Sequence, residues 1–325
     1  MIEIDHLTKC YGPHTAVRDL SLRVEPGRIY GLLGPNGAGK STTMNIMTGC
    51  LAATSGSVRI DGHDIFEEPE QAKTLIGYLP ELPPLYPEMT PAEYLDFVAQ
   101  AKGVKREERA GQIEKAMRTT RIDNVADRLI RNLSKGYRQR VGIAQALLGS
   151  PKVIILDEPT VGLDPQQIIE IRDLIRTLRN SHTVILSSHI LSEVRAVCDE
   201  IVIISKGQLV ASDTPENLER LFAGGGTLEL TVRGEEKQAR QVLGTLPGVG
   251  AVKITAKKLG GLLQLELETT SSTDPSESVF FACADARMPI LQMGMHRASL
   301  EEVFIELTSA DQGSQPEQGE EEMPS

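Results

Sequence analysis

Apolar and polar residues alternate from the start of the chain, as IEIDHLTK over 2–9 and again over 15–24, the period-two pattern of strands with one face on a core. Pro26-Gly27 then punctuates the entry to an apolar strand run at 28–33, and a helical pattern over 42–50 closes at Gly49. Short strands are expected at 56–60 and 75–79, with a loop or short helix over 65–74 between them. Residues 80–89, PELPPLYPEM, carry four prolines in ten positions and exclude regular structure. Beyond that border the pattern turns helical and charged. It runs over 90–120, opened by Thr90-Pro91 with Glu93 in the first turn, and continues over 123–131. A helix at 140–148 follows, then a fully apolar strand at 153–156, an amphipathic helix at 166–180, a strand at 183–187 and a helix at 190–198. A hairpin around Lys206-Gly207 and a short helix from Pro215 complete this part.

The predicted order makes the first part an α/β unit in which a helical insertion, about 85–148, interrupts a largely parallel sheet. Gly224-Gly225-Gly226 reads as a linker. Past it, strands at 228–232, 249–255, 262–268 and 290–296 alternate with helices at 235–246 and 275–286 in the order βαββαβ, which predicts a small ferredoxin-like α+β domain. A closing helix is expected at 299–307. The expected boundaries are 1–222 for the first domain, 227–308 for the second and 309–325 for a disordered acidic tail rich in Gln, Glu and Pro.

Composition narrows the function classes. The net charge is -11, of which Asp311, Glu317, Glu320, Glu321 and Glu322 in the tail supply five acids, so nothing resembles a basic nucleic-acid surface. Cys10, Cys50, Cys198 and Cys283 lie far apart without metal or redox spacing and read as isolated thiols in a reducing compartment. No charged-then-apolar leader opens the chain, and no apolar run approaches the roughly 20 residues of a membrane span. Membrane association is therefore expected only through a partner.

The chemistry concentrates in GPNGAGKST, Gly34, Pro35, Asn36, Gly37, Ala38, Gly39, Lys40, Ser41 and Thr42, which fits the P-loop pattern between a strand and a helix. Its glycines let the backbone turn tightly so that several N–H groups face one anion-sized hollow. Lys40 is expected beside the β- and γ-phosphates, Ser41 on Mg2+, and the following helix offers its positive end. At 153–158 an apolar strand delivers Asp157 and Glu158 to its carboxyl end, where open α/β sheets bind ligands. Asp157 is placed to reach Mg2+ through water and Glu158 to orient or deprotonate an attacking water. His189 follows a core strand and can either cap its loop or bond the γ-phosphate. Tyr11 can pack on its own sheet or stack on an adenine ring. Ser134 sits as an ordinary helix cap or as a second phosphate-facing helix start.

Taken together, these separated motifs resemble the ATP-binding subunits of ABC transporters over residues 1 to about 222. Tyr11 matches the adenine-stacking aromatic, residues 34–42 the Walker A loop, 153–158 the Walker B strand with its catalytic glutamate, Gly162 to Asp164 the loop that communicates across the dimer, and His189 the switch histidine. LSKGYRQ at 133–139 occupies the position of the LSGGQ signature, keeping Ser134 and Gly136 but with Lys135 for a glycine and Tyr137 for the glutamine. Glu81 stands where the family usually has a glutamine near Mg2+ and the attacking water; a carboxylate cannot donate as an amide does, so a coupling role is expected, with Mg2+ contact open. Glu81 and LSKGYRQR look like the exporter ATPases that serve type-2 permeases for drugs, polysaccharides and gliding-associated systems. SLEEVFIELT near the C-terminus looks like their accessory domain.

The resemblance implies a P-loop NTPase core, ATP and Mg2+ as ligands, and a head-to-tail dimer with an identical second subunit whose Ser134 and Gly136 bind the γ-phosphate held by the first. It implies catalysis by Glu158, His189 and Lys40, metal contacts from Ser41 and Asp157, with Glu81 as a candidate third whose direct contact stays open, and ATP-driven export through an integral-membrane permease at the cytoplasmic face of the plasma membrane. The competing reading is a soluble ABC-type ATPase acting on ribosomes or DNA, which predicts tandem cores, a basic arm, or a coiled-coil or zinc insertion that this sequence lacks.

Overall fold

The computed structural model describes residues 1–222, 227–258, 260–269, 275–296 and 304. The chain divides into two compact units, the first running from Met1 to Pro215 and the second beginning at Glu216. The expected linker at 224–226, the closing helix at 299–307 apart from 304, and the tail from 309 lie outside the described residues.

The first unit opens with a hairpin of β1 (Ile2–Tyr11) and β2 (His14–Val24), and continues through β3 (Ile29–Leu33), α1 (Lys40–Met47), β4 (Ser55–Ile60), β5 (His63–Asp64), α2 (Pro69–Thr74) and β6 (Ile76–Leu79). The insertion contributes α3 (Pro91–Ala101), α4 (Arg106–Thr120) and α5 (Lys135–Leu147). After it come β7 (Val153–Leu156), α6 (Pro165–Leu178), β8 (Thr183–Ser188), α7 (Leu191–Val197), β9 (Glu200–Ser205) and β10 (Gln208–Asp213); α8 (Pro215–Phe222) starts at the boundary and, from Glu216 on, belongs to the second unit.

Two sheets form. The outer, antiparallel one has the order β2-β1-β4-β5, and the central six-stranded one the order β10-β9-β3-β8-β7-β6. Strands β9, β3, β8, β7 and β6 run parallel, with β10 as an antiparallel edge. Every residue of β3, β7 and β8 is buried, as expected for a parallel sheet covered on both faces. Because β8 lies between β3 and β7, the loops that leave all three strands emerge side by side at one end of the sheet.

The insertion departs from its sequence pattern in three places. The block at 90–120 is two helices, broken where Gly103 takes a left-handed φ of 72°. Residues 123–131 form two short 3-10 turns, at Asp123–Val125 and Ile130–Asn132, in place of a continued helix. The next helix begins at Lys135 and not at Arg140, because Ser134 caps it by accepting from the Tyr137 N–H at 3.3 Å. The capping box of Thr90 and Glu93 does open α3. Tyr94, Leu95, Ile122, Ile130, Leu133 and Val141 share the core of this subdomain. It is anchored on the sheet where Gly77 of β6 meets α5, since a Cβ on Gly77 would stand 2.1 Å from the Ala146 carbonyl oxygen.

The second unit carries β11 (Thr227–Arg233), α9 (Glu236–Leu243), β12 (Val249–Lys258), β13 (Leu262–Thr269), α10 (Ser276–Asp285) and β14 (Ile290–His296). Its sheet has the order β12-β13-β11-β14 with every pair antiparallel, the βαββαβ arrangement read from the sequence. Alternation turns Leu228, Leu230 and Val232 of β11 and Leu263, Leu265 and Leu267 of β13 into one core with Ala239, Leu243, Val279 and Cys283 of the helices. Among the described residues, no helix is long and apolar enough to cross a membrane.

Candidate functional site

The loop after β3 is shaped by contacts that admit no side chain. A Cβ on Gly34 would stand 2.3 Å from the Ile204 carbonyl oxygen, and one on Gly39 2.6 Å from that of Ala16. Gly37 and Gly39 hold φ of 80° and 104°. The Gly207 N–H donates to the Ala38 carbonyl at 2.9 Å, pinning the loop from the β9–β10 hairpin. Lys40 then starts α1, and its ammonium donates to the carbonyls of Gly34 at 2.6 Å and Pro35 at 3.2 Å. Burial pulls the Lys40 pKa below its usual value, against Glu158 and Asp157, which favour the charged form.

At the end of β7 the two acids diverge. Asp157 is buried and accepts a hydrogen bond from the Ser187 hydroxyl at 2.6 Å. The same oxygen of Ser187 accepts from the Glu158 N–H at 2.9 Å. Glu158 has a left-handed backbone, φ 47°, a conformation that costs a non-glycine residue about 1–3 kcal/mol and persists only where the surroundings enforce it. Its carboxylate meets His189 Nδ1 at 3.0 Å. Ser187 has no motif to announce it. It is found only through the pairing of Leu156 with Leu186, which puts the next residue of each strand side by side.

These groups line one depression of about 440 Å3. Tyr11, Asn36, Gly37, Ala38, Gly39, Lys40, Ser41, Thr42, Glu81, Glu158 and His189 all border it, together with His14, which sequence reasoning did not single out. Tyr11 is half exposed, with the Lys9 ammonium 5.2 Å from its ring centroid. Gly34 and Pro35 lie at the base of the loop, where their carbonyls hold Lys40, and Asp157 sits behind Glu158 on Ser187.

Ser134, Gly136 and Asp164 are elsewhere. They border a second depression of about 470 Å3 with Asn124, Tyr137 and Arg140. Here the starts of two helices face each other. Ser134 caps α5, and Asp164 caps α6 by accepting from the Gln167 N–H at 2.9 Å. A Cβ on Gly136 would stand 2.7 Å from the Gln167 side chain, and one on Gly162 2.1 Å from Lys135 Nζ, so the signature lysine lies across the Gly162 loop of its own chain. The Asn124 amide donates to the Tyr137 hydroxyl at 3.0 Å. Among the described residues there is no cluster of three or more His, Cys, Asp or Glu able to hold a metal.

Comparison with known proteins agrees with this geometry. A family profile described as ABC transporter matches residues 17–161. The linearmycin resistance ATP-binding protein LnrL of Bacillus subtilis (strain 168) is 30% identical over 309 residues, covering 95% of this chain and 98% of the relative. The lantibiotic transport ATP-binding protein SrtF of Streptococcus pyogenes is 38% identical over 226 residues, 68% of this chain and 96% of the relative. Among solved structures, a dimeric ATP-binding cassette in a post-hydrolysis state bound to ADP and Pi superposes with a TM-score of 0.60 at 26% identity, covering 66% of this chain and 98% of that one.

Proposed function

This chain belongs to the ATP-binding subunits of ABC transporters, and on that premise we propose that two identical copies close head to tail on two ATP molecules and power export through a type-2 permease at the cytoplasmic face of the membrane. The observation that carries the paired-copy reading is the division of the ligand-type residues between two depressions of one chain, the loop with Lys40 and Ser41 in one and Ser134 with Gly136 in the other. The export reading draws on the names of the relatives, a resistance protein and a lantibiotic transport protein.

Within such a site the roles follow from chemistry. Tyr11 supplies a ring for the base, and the backbone from Gly34 to Thr42 wraps the phosphates while Lys40 leaves its loop carbonyls for phosphate oxygens. Glu158 orients water and accepts its proton, and His189, in contact with that carboxylate, holds the geometry toward the γ-phosphate. The donor set suits Mg2+, since the Ser41 hydroxyl and the carboxylates of Asp157 and Glu81 are hard oxygen ligands at one end of the sheet. When bound, that ion would neutralise phosphate charge. Glu81, at the border of the nucleotide depression and the start of the proline-rich stretch that enters the insertion, links the site to the subdomain that would meet the permease.

The test is Glu158→Gln. It is expected to keep ATP binding, to lose hydrolysis by about 100-fold or more as a removed general base does, and to accumulate an ATP-dependent dimer on size-exclusion chromatography. Hydrolysis at the original rate would refute the base assignment, and a variant that stays monomeric with ATP would refute closure between copies.

A further inference from the structure

Glu193, in the first turn of α7, belongs to none of the motifs above, yet it is only 5% exposed. Its Oε2 accepts from the Thr160 hydroxyl and, at 3.3 Å, from the Ser188 hydroxyl. Both donors are buried as well. A carboxylate removed from water needs hydrogen bonds in place of its hydration, and here two hydroxyls supply them.

The position of the donors gives this contact its meaning. Thr160 belongs to the turn that starts at Glu158, where the Val161 N–H donates to the Glu158 carbonyl and the Leu163 N–H to that of Thr160, each at 3.2 Å. Ser188 immediately precedes His189 and closes its own turn by accepting from the Ile190 N–H at 3.0 Å. The Glu193 carboxylate thus fastens the turn that carries Glu158 to the turn that carries His189. Ser187 makes a related junction from β8, through the Glu158 amide and Asp157. Glu193 adds a second fastening from a third element, α7, and does not itself border the nucleotide depression.

We propose that Glu193 is a positioning residue for ATP hydrolysis, a clamp that fixes the Glu158 carboxylate against the His189 ring without touching the nucleotide. This rests on the roles assigned above to Glu158 and His189. Because the binding groups at Tyr11 and the 34–42 loop are not part of the clamp, its loss acts on turnover and not on ATP affinity.

A double-mutant cycle in the full-length protein tests it, with Glu193→Leu and Thr160→Val made singly and together and read as kcat, KM for ATP and thermal midpoint. Each single change is expected to lower kcat about ten-fold or more, with KM within about two-fold, since small misplacements of reacting groups carry penalties of this order. The double variant should be no slower than the slower single one, because both remove the same bond. Glu193→Gln, which keeps a carbonyl acceptor, and Thr160→Ser, which keeps the hydroxyl, should recover most of the rate. Wild-type kcat in either single variant, losses that multiply in the double, or failure of both conservative changes to recover the rate would overturn the clamp. If Glu193→Leu does not fold, Thr160→Val against Thr160→Ser decides by the same outcomes. Glu158→Gln run in parallel keeps the claims apart: if it remains active the base assignment fails, and if it is inactive beside fully active Thr160→Val only the clamp fails.

Discussion

The Ser187 hydroxyl donates to the Asp157 carboxylate at 2.6 Å and so ties the end of β8 to the end of β7. As the same oxygen also receives the Glu158 N–H, one buried hydroxyl holds both acids in register. Ser187→Ala would leave a buried donor and acceptor without partners. The expected cost is about 1–3 kcal/mol of stability, together with a drop in kcat as Glu158 leaves its left-handed conformation. Urea unfolding and steady-state hydrolysis measure the two effects, and an unchanged unfolding midpoint would show that the bridge contributes nothing.

Tyr11 tests the base contact. It stands half exposed at the border of the nucleotide depression, so replacing it should leave the fold intact. Tyr11→Ala should weaken nucleotide binding by about 1–3 kcal/mol, the range of a lost base–aromatic stack, while Tyr11→Phe keeps the ring and should bind as the wild type does. Titration with a fluorescent ATP analogue reads both. Equal affinity for the alanine variant would remove Tyr11 from the site.

Gly39 and Gly162 both have left-handed φ, 104° and 69°, but differ in what a methyl group would meet. On Gly39 it strikes the Ala16 backbone carbonyl at 2.6 Å, and on Gly162 the end of the flexible Lys135 side chain at 2.1 Å. The lysine can swing aside; the backbone cannot. Gly162→Ala should therefore lose roughly the 1–2 kcal/mol of left-handed strain, and Gly39→Ala should lose more stability and most of its ATP affinity besides. Thermal midpoints in the absence of nucleotide rank the two, and the opposite ranking would contradict the steric account.

His182 supplies a pH prediction. Burial lowers its pKa below 6.5, Lys115 adds to the effect, and the Pro151 carbonyl at 2.7 Å from Nδ1 opposes it. The unfolded chain consequently takes up the proton first, and acidification below 6.5 favours unfolding until the folded-state imidazole also titrates. His182→Asn, which keeps a donor toward Pro151, should flatten this part of the stability profile. Chemical denaturation of both proteins between about pH 5 and 7.5, the span in which histidine changes charge, checks it. Parallel profiles would show that His182 does not contribute.

Much of this protein was legible along the chain. The strands and most helices appear at their expected places because side-chain periodicity and capping are local, as Thr90 with Glu93 illustrates. The P-loop could be read for the same reason, its chemistry lying in consecutive residues. Local pattern failed where another local device overrode it, at the left-handed Gly103 and in the two 3-10 turns before Ser134.

By itself, then, the sequence determined the elements, their order and the motifs at their ends. Only the tertiary structure decided which motifs meet. Strand order brought Glu158 to His189 and Ser187 to Asp157, set Glu193 between Thr160 and Ser188, and separated Ser134 and Gly136 from Lys40. The physical reason is that these contacts depend on the register of parallel strands joined through long crossovers, and no periodicity within one segment encodes its alignment with another.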